Sequence, residues 1–334
     1  MPMQPNVSAF LGFITSRASV TYLLGTFVAT AMVTVALKIV NSKSVGKTLP
    51  PKPPVTARIA RQVFSAKKVP EDVDVVVIGS GIGGLVPANL LSRAGMKVLV
   101  LEQHDRAGGC LHTFEEGGFE FDTGLHYVSA VAGGRGRNVL GKVVDSLTDG
   151  AISWESTGDV VDVAVFQPPG MSERRYSVPA GERAYQEMLI QRFPDEAEAI
   201  RKYFGAIRAA MSSIALVVVL KLLPRWLANF LLPLVPFNRL GTVHQVLTGL
   251  GCSEELIGAL TYIWGDYGLP PRQAAFGVHA AVVAHYFDGS YYPVGGPNEI
   301  VKHSVAALER RGSKVLCKAT VERVLLSEKG GRAE

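Results

Sequence analysis

Residues 73–127 decide the fold of this chain: VDVVVIGSGIGGLVPANLLSRAGMKVLVLEQHDRAGGCLHTFEEGGFEFDTGLHY. The first apolar run, Val73–Ile78, predicts a buried parallel strand, because strands covered on both faces are almost continuously apolar. A helical pattern follows to about Ala94, and Lys97–Leu101 predicts a second strand. Strand, helix and strand in this order predict the βαβ unit of a Rossmann-like α/β fold.

Three glycines follow the first strand with the spacing G-x-G-x-x-G. Gly79 allows the tight turn, Gly81 lets the backbone approach a pyrophosphate, and Gly84 lets helix and strand pack closely. The N-terminus of the helix favours the phosphates through its free N–H groups and its dipole. Glu102 lies 18 residues after Gly84, where its carboxylate can accept a ribose hydroxyl. With Ser80 inside the turn as a further contact, the pattern predicts a dinucleotide site.

A second glycine pair distinguishes a flavin from a nicotinamide. The doublet Gly108-Gly109 begins six residues after Glu102 and is followed by Cys110. An acid followed by a close glycine doublet is similar to the pattern of amine oxidases and phytoene desaturases, in which the doublet runs along the FAD pyrophosphate. Those relatives often carry an arginine where Cys110 stands, so that phosphate contact is not expected here.

The start of the chain predicts membrane contact. Hydrophobic residues make up 48% of the 334, mean hydropathy is +0.22 and the formal net charge is +5. Ala18–Leu37 carries no charge, and about 20 helical residues span roughly 30 Å, the thickness of a hydrocarbon core. Residues 1–47 are therefore predicted to be a signal or membrane anchor, and 48–70 a Pro-rich basic linker.

The charges around that segment predict its orientation. Eight basic residues lie between Lys38 and Lys68, against Arg17 alone on the other side, and the first acid is Glu71. The positive-inside bias places the folded part on the cytosolic face, with the endoplasmic reticulum as the expected membrane. A transit peptide to a plastid or mitochondrion is the alternative. Binding of nucleic acid is not expected, since no aromatic stacking platform is interleaved with these basic residues.

Other chemistries lack their signatures in the sequence. The three cysteines, Cys110, Cys252 and Cys317, form no C-x-x-C pair and no cluster with metal-ligand spacing, so neither a disulfide scaffold nor a metal site is expected. No G-x-S-x-G or Walker sequence occurs either. The sequence does not predict an oligomeric state.

A second domain is predicted between the two parts of the first. Residues 71–150 form the first part of the FAD-binding domain, 151–290 an α+β substrate domain, and 291–334 the return to the first domain. Within the substrate domain, the apolar stretch 214–237 is interrupted by Lys221, Arg225 and three prolines, so it is not expected to span a bilayer. Two interpretations remain open: a buried helix pair, or a surface that dips into lipid with Trp226 at the interface.

The motifs together resemble the retinol saturases, within the wider phytoene desaturase and carotenoid isomerase family. The resemblance extends from about Val69 to the end of the chain. Six runs carry it: VVVIGSGIGGL at 75–85, VLVLEQH at 98–104, AGGCLHTF at 107–114, FEFDTGLHY at 119–127, YYPVGG at 291–296 and KATVERVLL at 318–326.

The resemblance implies bound FAD and saturation of the 13,14 double bond of all-trans-retinol or a similar polyene, with NAD(P)H as a candidate electron donor. A carotenoid desaturase or isomerase is the alternative, as is a non-catalytic FAD- or lipid-binding protein. The glycines and Glu102 carry over as FAD contacts. Val321, in a strand predicted over Thr320–Leu326, would touch adenine through its backbone, and Arg106 would reach a ribose or phosphate unless it is solvated. Family members continue past this point to a second flavin-contacting segment, so the chain is expected to be part of a longer protein.

Candidate proton donors are histidines, which titrate near neutrality. His126 and its neighbour Tyr127 are preferred, since they directly follow the turn Asp122-Thr123-Gly124. The remaining histidines that we considered are expected to be hydrogen-bonded structural residues: His112, His279 and His285.

Overall fold

The computed structural model describes residues 56–129, 139–167, 170, 172–235 and 241–325. The predicted anchor over 1–47 and the proline cluster of the linker lie outside the described residues. The described part divides into two compact units. The first unit comprises residues 56–156 and 291–325, and the second comprises Thr157–Ser290.

The secondary structure of the described residues follows the sequence pattern closely. Its strands are β1 Val75–Ile78, β2 Val98–Leu101, β3 Thr113–Glu116, β4 Phe119–Asp122, β5 Trp154–Ser156, β6 Val160–Phe166, β7 Arg174–Pro179, β8 Tyr291–Pro293 and β9 Lys314–Leu316. Its helices are α1 Ile82–Arg93, α2 Val139–Thr148, α3 Glu182–Arg192, α4 Ala197–Leu220, α5 Arg225–Leu231, α6 Val243–Gly249, α7 Glu254–Leu260, α8 Phe276–His285 and α9 Asn298–Arg310.

The first unit contains a parallel sheet in the order β1-β2-β9. Val75 is paired with Val98, and Leu99 with Lys314, so the chain leaves this sheet after β2 and returns to it at β9. Helix α1 contacts β2, helix α9 contacts β9, and the two helices contact each other. Their shared core includes Leu85, Ala88, Val100, Val301, Val305 and Val315. The predicted Rossmann-like fold is confirmed.

Strand β1 differs from its prediction as a fully buried strand. Val75 and Val77 pack against the core, but Val76 is 53% exposed and Ile78 is 58% exposed. The side chains of a strand alternate between the two faces of its sheet. Strand β1 is the edge of this three-stranded sheet, and its second face is not covered by the part of the chain that the structure describes.

A small antiparallel strand pair shows where the chain passes from one unit to the other. Strand β5 pairs with β8, with Trp154 opposite Pro293, and Val128 bridges to Tyr291 beside them. Residues 151–156 therefore lie in the first unit, whereas the sequence prediction placed them in the substrate domain. Three paired residues carry little periodic signal, so this pairing is visible only in the fold.

The second unit is built on α4. Its buried face contains Ile200, Phe204 and Ile207, and helix α8 packs along it. Strands β6 and β7 of this unit pair antiparallel, and helix α3 contacts both β7 and α4. Helix α7 is capped at its N-terminus, because the Ser253 hydroxyl accepts the N–H of Leu256 at 3.2 Å.

The apolar stretch 214–237, described through Val235, is not a buried helix pair. Helix α4 ends at Leu220, and the short helix α5 begins after Pro224. Trp226 is 73% exposed, and Phe230 and Leu234 are exposed as well. The buried interpretation is therefore wrong for the largest side chains of this stretch.

The strand predicted over Thr320–Leu326 is absent from residues 320–325, the part of it that the structure describes. Lys318 adopts a φ of 54°, which turns the chain after β9. The N–H groups of Lys318 and Ala319 then donate to the carbonyls of His104 and Glu102, each at 2.8 Å. The chain thus closes over the loop after β2 and does not extend the sheet.

Candidate dinucleotide site

The turn between β1 and α1 presents open N–H groups. Gly79 has a φ of 91°, in the region that favours glycine, and its N–H donates to the carbonyl of Leu101 at 2.8 Å. Gly81 occupies the N-cap position and has no side chain that could cap the helix. The first N–H groups of a helix have no acceptor within it, so this turn offers them to an anion.

Gly84 is required by packing. A Cβ atom at this position would lie 2.0 Å from the carbonyl oxygen of Gly79. The neighbouring Gly83 has nothing within 4 Å of an added Cβ. The two adjacent glycines therefore differ completely in their tolerance of a methyl group, as the predicted close contact between turn and helix requires.

Glu102, at the end of β2, is buried and highly hydrogen-bonded. Its Oε2 accepts the N–H of Ser80 at 2.8 Å and the hydroxyl of Ser80 at 2.6 Å, and its Oε1 accepts the N–H of His104 at 2.9 Å. Burial alone would raise the pKa of Glu102, but these hydrogen bonds outweigh it and hold the pKa below its ordinary value. A carboxylate has about four acceptor positions, so about one is left for a ligand hydroxyl.

Ser80 connects the glycine turn to the second glycine pair. Its hydroxyl donates to Glu102 and accepts the N–H of Gly108 at 3.1 Å. Gly108 and Gly109 both have positive φ angles, 124° and 55°, and an added Cβ on Gly109 would lie 3.0 Å from the Cα of Gly81. The sequence predicts Ser80 to contact the ligand; in the structure its side chain is completely buried and hydrogen-bonded to both loops.

The structure thus brings the predicted glycines and Glu102 together in one place. Arg106 lies beside them and donates to the carbonyl of Thr113 at 2.8 Å and to Asp105 at 3.3 Å. It anchors the start of β3 in the described structure. Val321 lies beyond the turn at Lys318, partly buried and outside any strand.

A side-chain hydrogen bond connects two of the sequence motifs, FEFDTGLHY at 119–127 and YYPVGG at 291–296. The Tyr292 hydroxyl donates to both oxygens of Asp122, at 2.9 and 3.1 Å. Burial is the larger cause and the Asp122 carboxylate the smaller one of a Tyr292 pKa raised to about 12. Nδ1 of His126 lies 3.9 Å from Asp122, and the imidazole is 64% exposed. The neighbouring Tyr127 is partly buried. The sequence analysis identified His126 by its place after this turn. It did not predict the hydrogen bond between Asp122 and Tyr292, which are 170 residues apart.

The same turn contacts the doublet region. The N–H of Leu125 donates to the carbonyl of Cys110 at 3.1 Å, and an added Cβ on Gly124 would lie 2.9 Å from the Cβ of Cys110. His126 therefore directly follows Leu125, a residue that is hydrogen-bonded to Cys110, which itself follows the glycine doublet.

The two histidines of helix α8, His279 and His285, are fully and partly buried. His279 is fully buried, with Nε2 2.9 Å from the Tyr203 hydroxyl and Nδ1 3.2 Å from the Tyr267 hydroxyl. Burial lowers the pKa of His279 to about 4, so its imidazole is neutral at physiological pH. Burial also lowers the pKa of His285. His112 is partly buried, with Nδ1 2.6 Å from the carbonyl oxygen of Gly109.

The cradle fits the pyrophosphate and ribose of a dinucleotide. It combines an uncapped helix N-terminus, backbone too close for any Cβ and a carboxylate with a remaining acceptor position. Within the described residues, no group of three or more His, Cys, Asp or Glu side chains has the arrangement of a metal site.

Comparison with known families agrees with this geometry. The family of NAD(P)-binding Rossmann-like domains matches residues 77–143, which include the glycine turn, Glu102 and the doublet. Over these residues the fold is that of a Rossmann-like domain, and the site is a candidate dinucleotide cradle.

The relatives are more specific. The all-trans-retinol 13,14-reductase of Macaca fascicularis is 42% identical over 84% of this chain and 48% of its own length. An inactive all-trans-retinol 13,14-reductase of Danio rerio is 34% identical over 81% of the chain and 45% of its own length. Prolycopene isomerase 1 from an Oncidium hybrid is 29% identical over 77% of the chain and 44% of its own length. The predicted resemblance is confirmed, and the chain spans about half the length of these relatives.

Proposed function

We propose that this chain contributes the dinucleotide half-site of an FAD-dependent oxidoreductase that saturates the 13,14 double bond of all-trans-retinol or a similar polyene. The single observation that carries the proposal is the connection of the glycine turn to the doublet Gly108-Gly109 through Ser80 and Glu102. The relatives at about 40% identity favour a retinoid as the polyene.

The residues of this chain would bind and orient the cofactor. The N–H groups at the start of α1 would receive the pyrophosphate, the remaining acceptor position of Glu102 would take a ribose hydroxyl, and the doublet would let the chain pass close to the phosphates. Reduced FAD, when bound, supplies hydride for alkene reduction, and NAD(P)H is the candidate reductant.

His126 is the candidate for delivering the proton that alkene saturation also requires. Its imidazole is 64% exposed, and its Nδ1 lies 3.9 Å from a carboxylate oxygen of Asp122. Tyr292 donates its hydroxyl proton to a hydrogen bond with Asp122, so it positions the carboxylate, and its raised pKa keeps it protonated near neutral pH. Tyr127, which follows His126, remains a weaker candidate.

The adjacent glycines test the cofactor proposal. Gly84→Ala should lose the flavin, because the methyl group cannot fit beside the carbonyl of Gly79, whereas Gly83→Ala should keep it. The measurement is the flavin absorbance that remains with the purified protein after gel filtration, with circular dichroism to show that both variants fold. Equal flavin retention in the two variants, or a wild-type protein without flavin, would refute the proposed site.

The substrate is tested separately. The reduced protein is incubated without oxygen with all-trans-retinol, and in parallel with a carotene and with prolycopene. A dihydro product from retinol alone supports the proposal, whereas conversion of a carotene or of prolycopene alone supports a desaturase or an isomerase. The relative prolycopene isomerase makes the last comparison worthwhile. The endoplasmic reticulum remains our prediction for the membrane on which this occurs.

A further inference from the structure

The end of α4 and the segment that follows it expose large apolar side chains at regular intervals. The exposed residues recur at every fourth position and are 52–73% accessible: Val218, Leu222, Trp226, Phe230 and Leu234. We call them the apolar ridge. Trp226 and Phe230 are four residues apart in α5 and so share one side of that helix. Concentrations of exposed apolar side chains are unusual on monomers and mark sites that bind something.

The segment is nevertheless attached to the second unit. Ala228, between the exposed positions, and Val235, directly after the last of them, are buried, and Leu227, Leu231 and Leu232 are partly buried. One side of the segment therefore packs inward while the ridge faces outward. This two-sided arrangement is that of a helix lying in an interface.

The charges in the sequence around the ridge indicate what kind of surface it binds. Residues 199–253 contain no aspartate or glutamate. The same interval contains six cationic side chains: Arg201, Lys202, Arg208, Lys221, Arg225 and Arg239. Lys221 and Arg225 lie within the ridge segment and are both exposed. Lys202 and Arg208 pair with Glu198 and Glu182, so Lys221 and Arg225 are the cations beside the ridge that complement a bilayer with anionic lipids.

A transmembrane helix does not explain these observations. The helical stretch Pro194–Leu220 is long and apolar enough to cross a membrane by length and composition. However, Ile200, Phe204 and Ile207 belong to the core of the second unit, so this half of the helix cannot also contact lipid. Pro224 and Pro233 interrupt the chain beyond Leu220.

We propose that the apolar ridge docks onto the surface of an anionic lipid bilayer and inserts Leu222, Trp226 and Phe230 among the lipid chains. Trp226 is suited to the boundary, because its ring is apolar and its N–H is polar. Lys221 and Arg225 would contact the headgroups, with their aliphatic stems along the apolar surface. The proposal concerns lipid contact and does not depend on the flavin chemistry.

Tryptophan fluorescence tests the proposal in the full chain. The chain has three tryptophans, so replacing two with phenylalanine leaves Trp226 as the only reporter, and a second variant leaves Trp264, which is 47% exposed. Both are reconstituted into vesicles of phosphatidylcholine, with and without phosphatidylserine, whose acyl chains carry bromine as a quencher. A local reporter is needed because the predicted segment 1–47 would hold every variant on the vesicle.

The expected result is strong quenching of Trp226, little quenching of Trp264, and stronger quenching of Trp226 with phosphatidylserine. Lys221→Gln combined with Arg225→Gln should reduce that quenching, since each cation near an anionic surface contributes about fivefold to partition. Equal quenching of the two tryptophans, or none of Trp226, overturns the proposal. Self-association measured by sedimentation that is lost in Phe230→Ser, with Trp226 unquenched, would instead assign the ridge to a second copy.

Discussion

Replacing Ser80 with alanine should uncouple the two halves of the dinucleotide cradle. The hydroxyl of Ser80 is the atom that both turns share, since it donates to Glu102 and accepts the N–H of Gly108. All three groups are buried, so water cannot replace the lost partner without a rearrangement. Ser80→Ala removes one oxygen atom and leaves the volume of the site nearly unchanged.

The magnitude follows from the two hydrogen bonds. A bond to a charged carboxylate contributes about 1.5–3 kcal/mol, and a buried N–H left without an acceptor costs about 1–3 kcal/mol. The first unit should therefore lose about 3–5 kcal/mol of its free energy of unfolding. The effect depends on an ionised Glu102. Its pKa lies below the ordinary value of 4.5, so the stabilisation is present above pH 4.5 and disappears as the pH falls through the folded-state pKa.

Urea unfolding of the first unit measures this loss. Trp154 lies in that unit, and it becomes its reporter when Trp226 and Trp264 are replaced by phenylalanine. The matched control is Ser304→Ala. Ser304 is also fully buried in the first unit, but its hydroxyl has no hydrogen-bond partner among the described residues, so its removal should not destabilise the protein.

The reasoning fails if the two serine variants unfold at the same urea concentration. It also fails if Ser80→Ala lowers stability equally at pH 7 and at a pH well below 4.5, because the effect would then not involve the carboxylate. Flavin retention provides an independent reading, since a displaced doublet should weaken cofactor binding even where the fold survives.

Two further predictions concern stability. Asp149→Asn should destabilise the first unit by about 3–5 kcal/mol in urea, because Arg310 and Arg311 are nearly buried and would lose their anion. Asparagine tolerates the φ of 53° at this position, so the charge alone is tested; Asp159→Asn, at an exposed carboxylate, is the control, and an equal loss there would contradict the argument. For the second unit, His279 has its pKa lowered to about 4, and the unfolded chain therefore binds more protons between pH 4 and the ordinary 6.5. Stability should fall as the pH decreases through that window, by at most about 1.4 kcal/mol per unit, and His279→Gln should show a shallower decrease.

Local pattern was sufficient for much of the dinucleotide cradle. The residues from Val75 to Leu101 form a strand, a helix and a strand at nearly the predicted positions. These elements depend on periodicity, glycine and capping signals within a few residues of each other, which a single sequence contains. The chemical types in the glycine turn were sufficient to predict its ligand class for the same reason.

The role of Ser80, the partner of Asp122 and the exposure of the apolar ridge were decided by tertiary structure. The contacts of Ser80 with Gly108 span 28 residues, and those of Asp122 with Tyr292 span 170. No local pattern encodes such pairs, because they depend on where the sheet and the loops bring the chain together. The stretch 214–237 is equally apolar in a core or on a surface, so only the packing of Ala228 and Val235 shows which of its sides is buried. The sequence by itself determined the Rossmann-like turn and its acid, since those are local; the folded chain determined which groups hold that turn in place and which side of the apolar stretch is exposed.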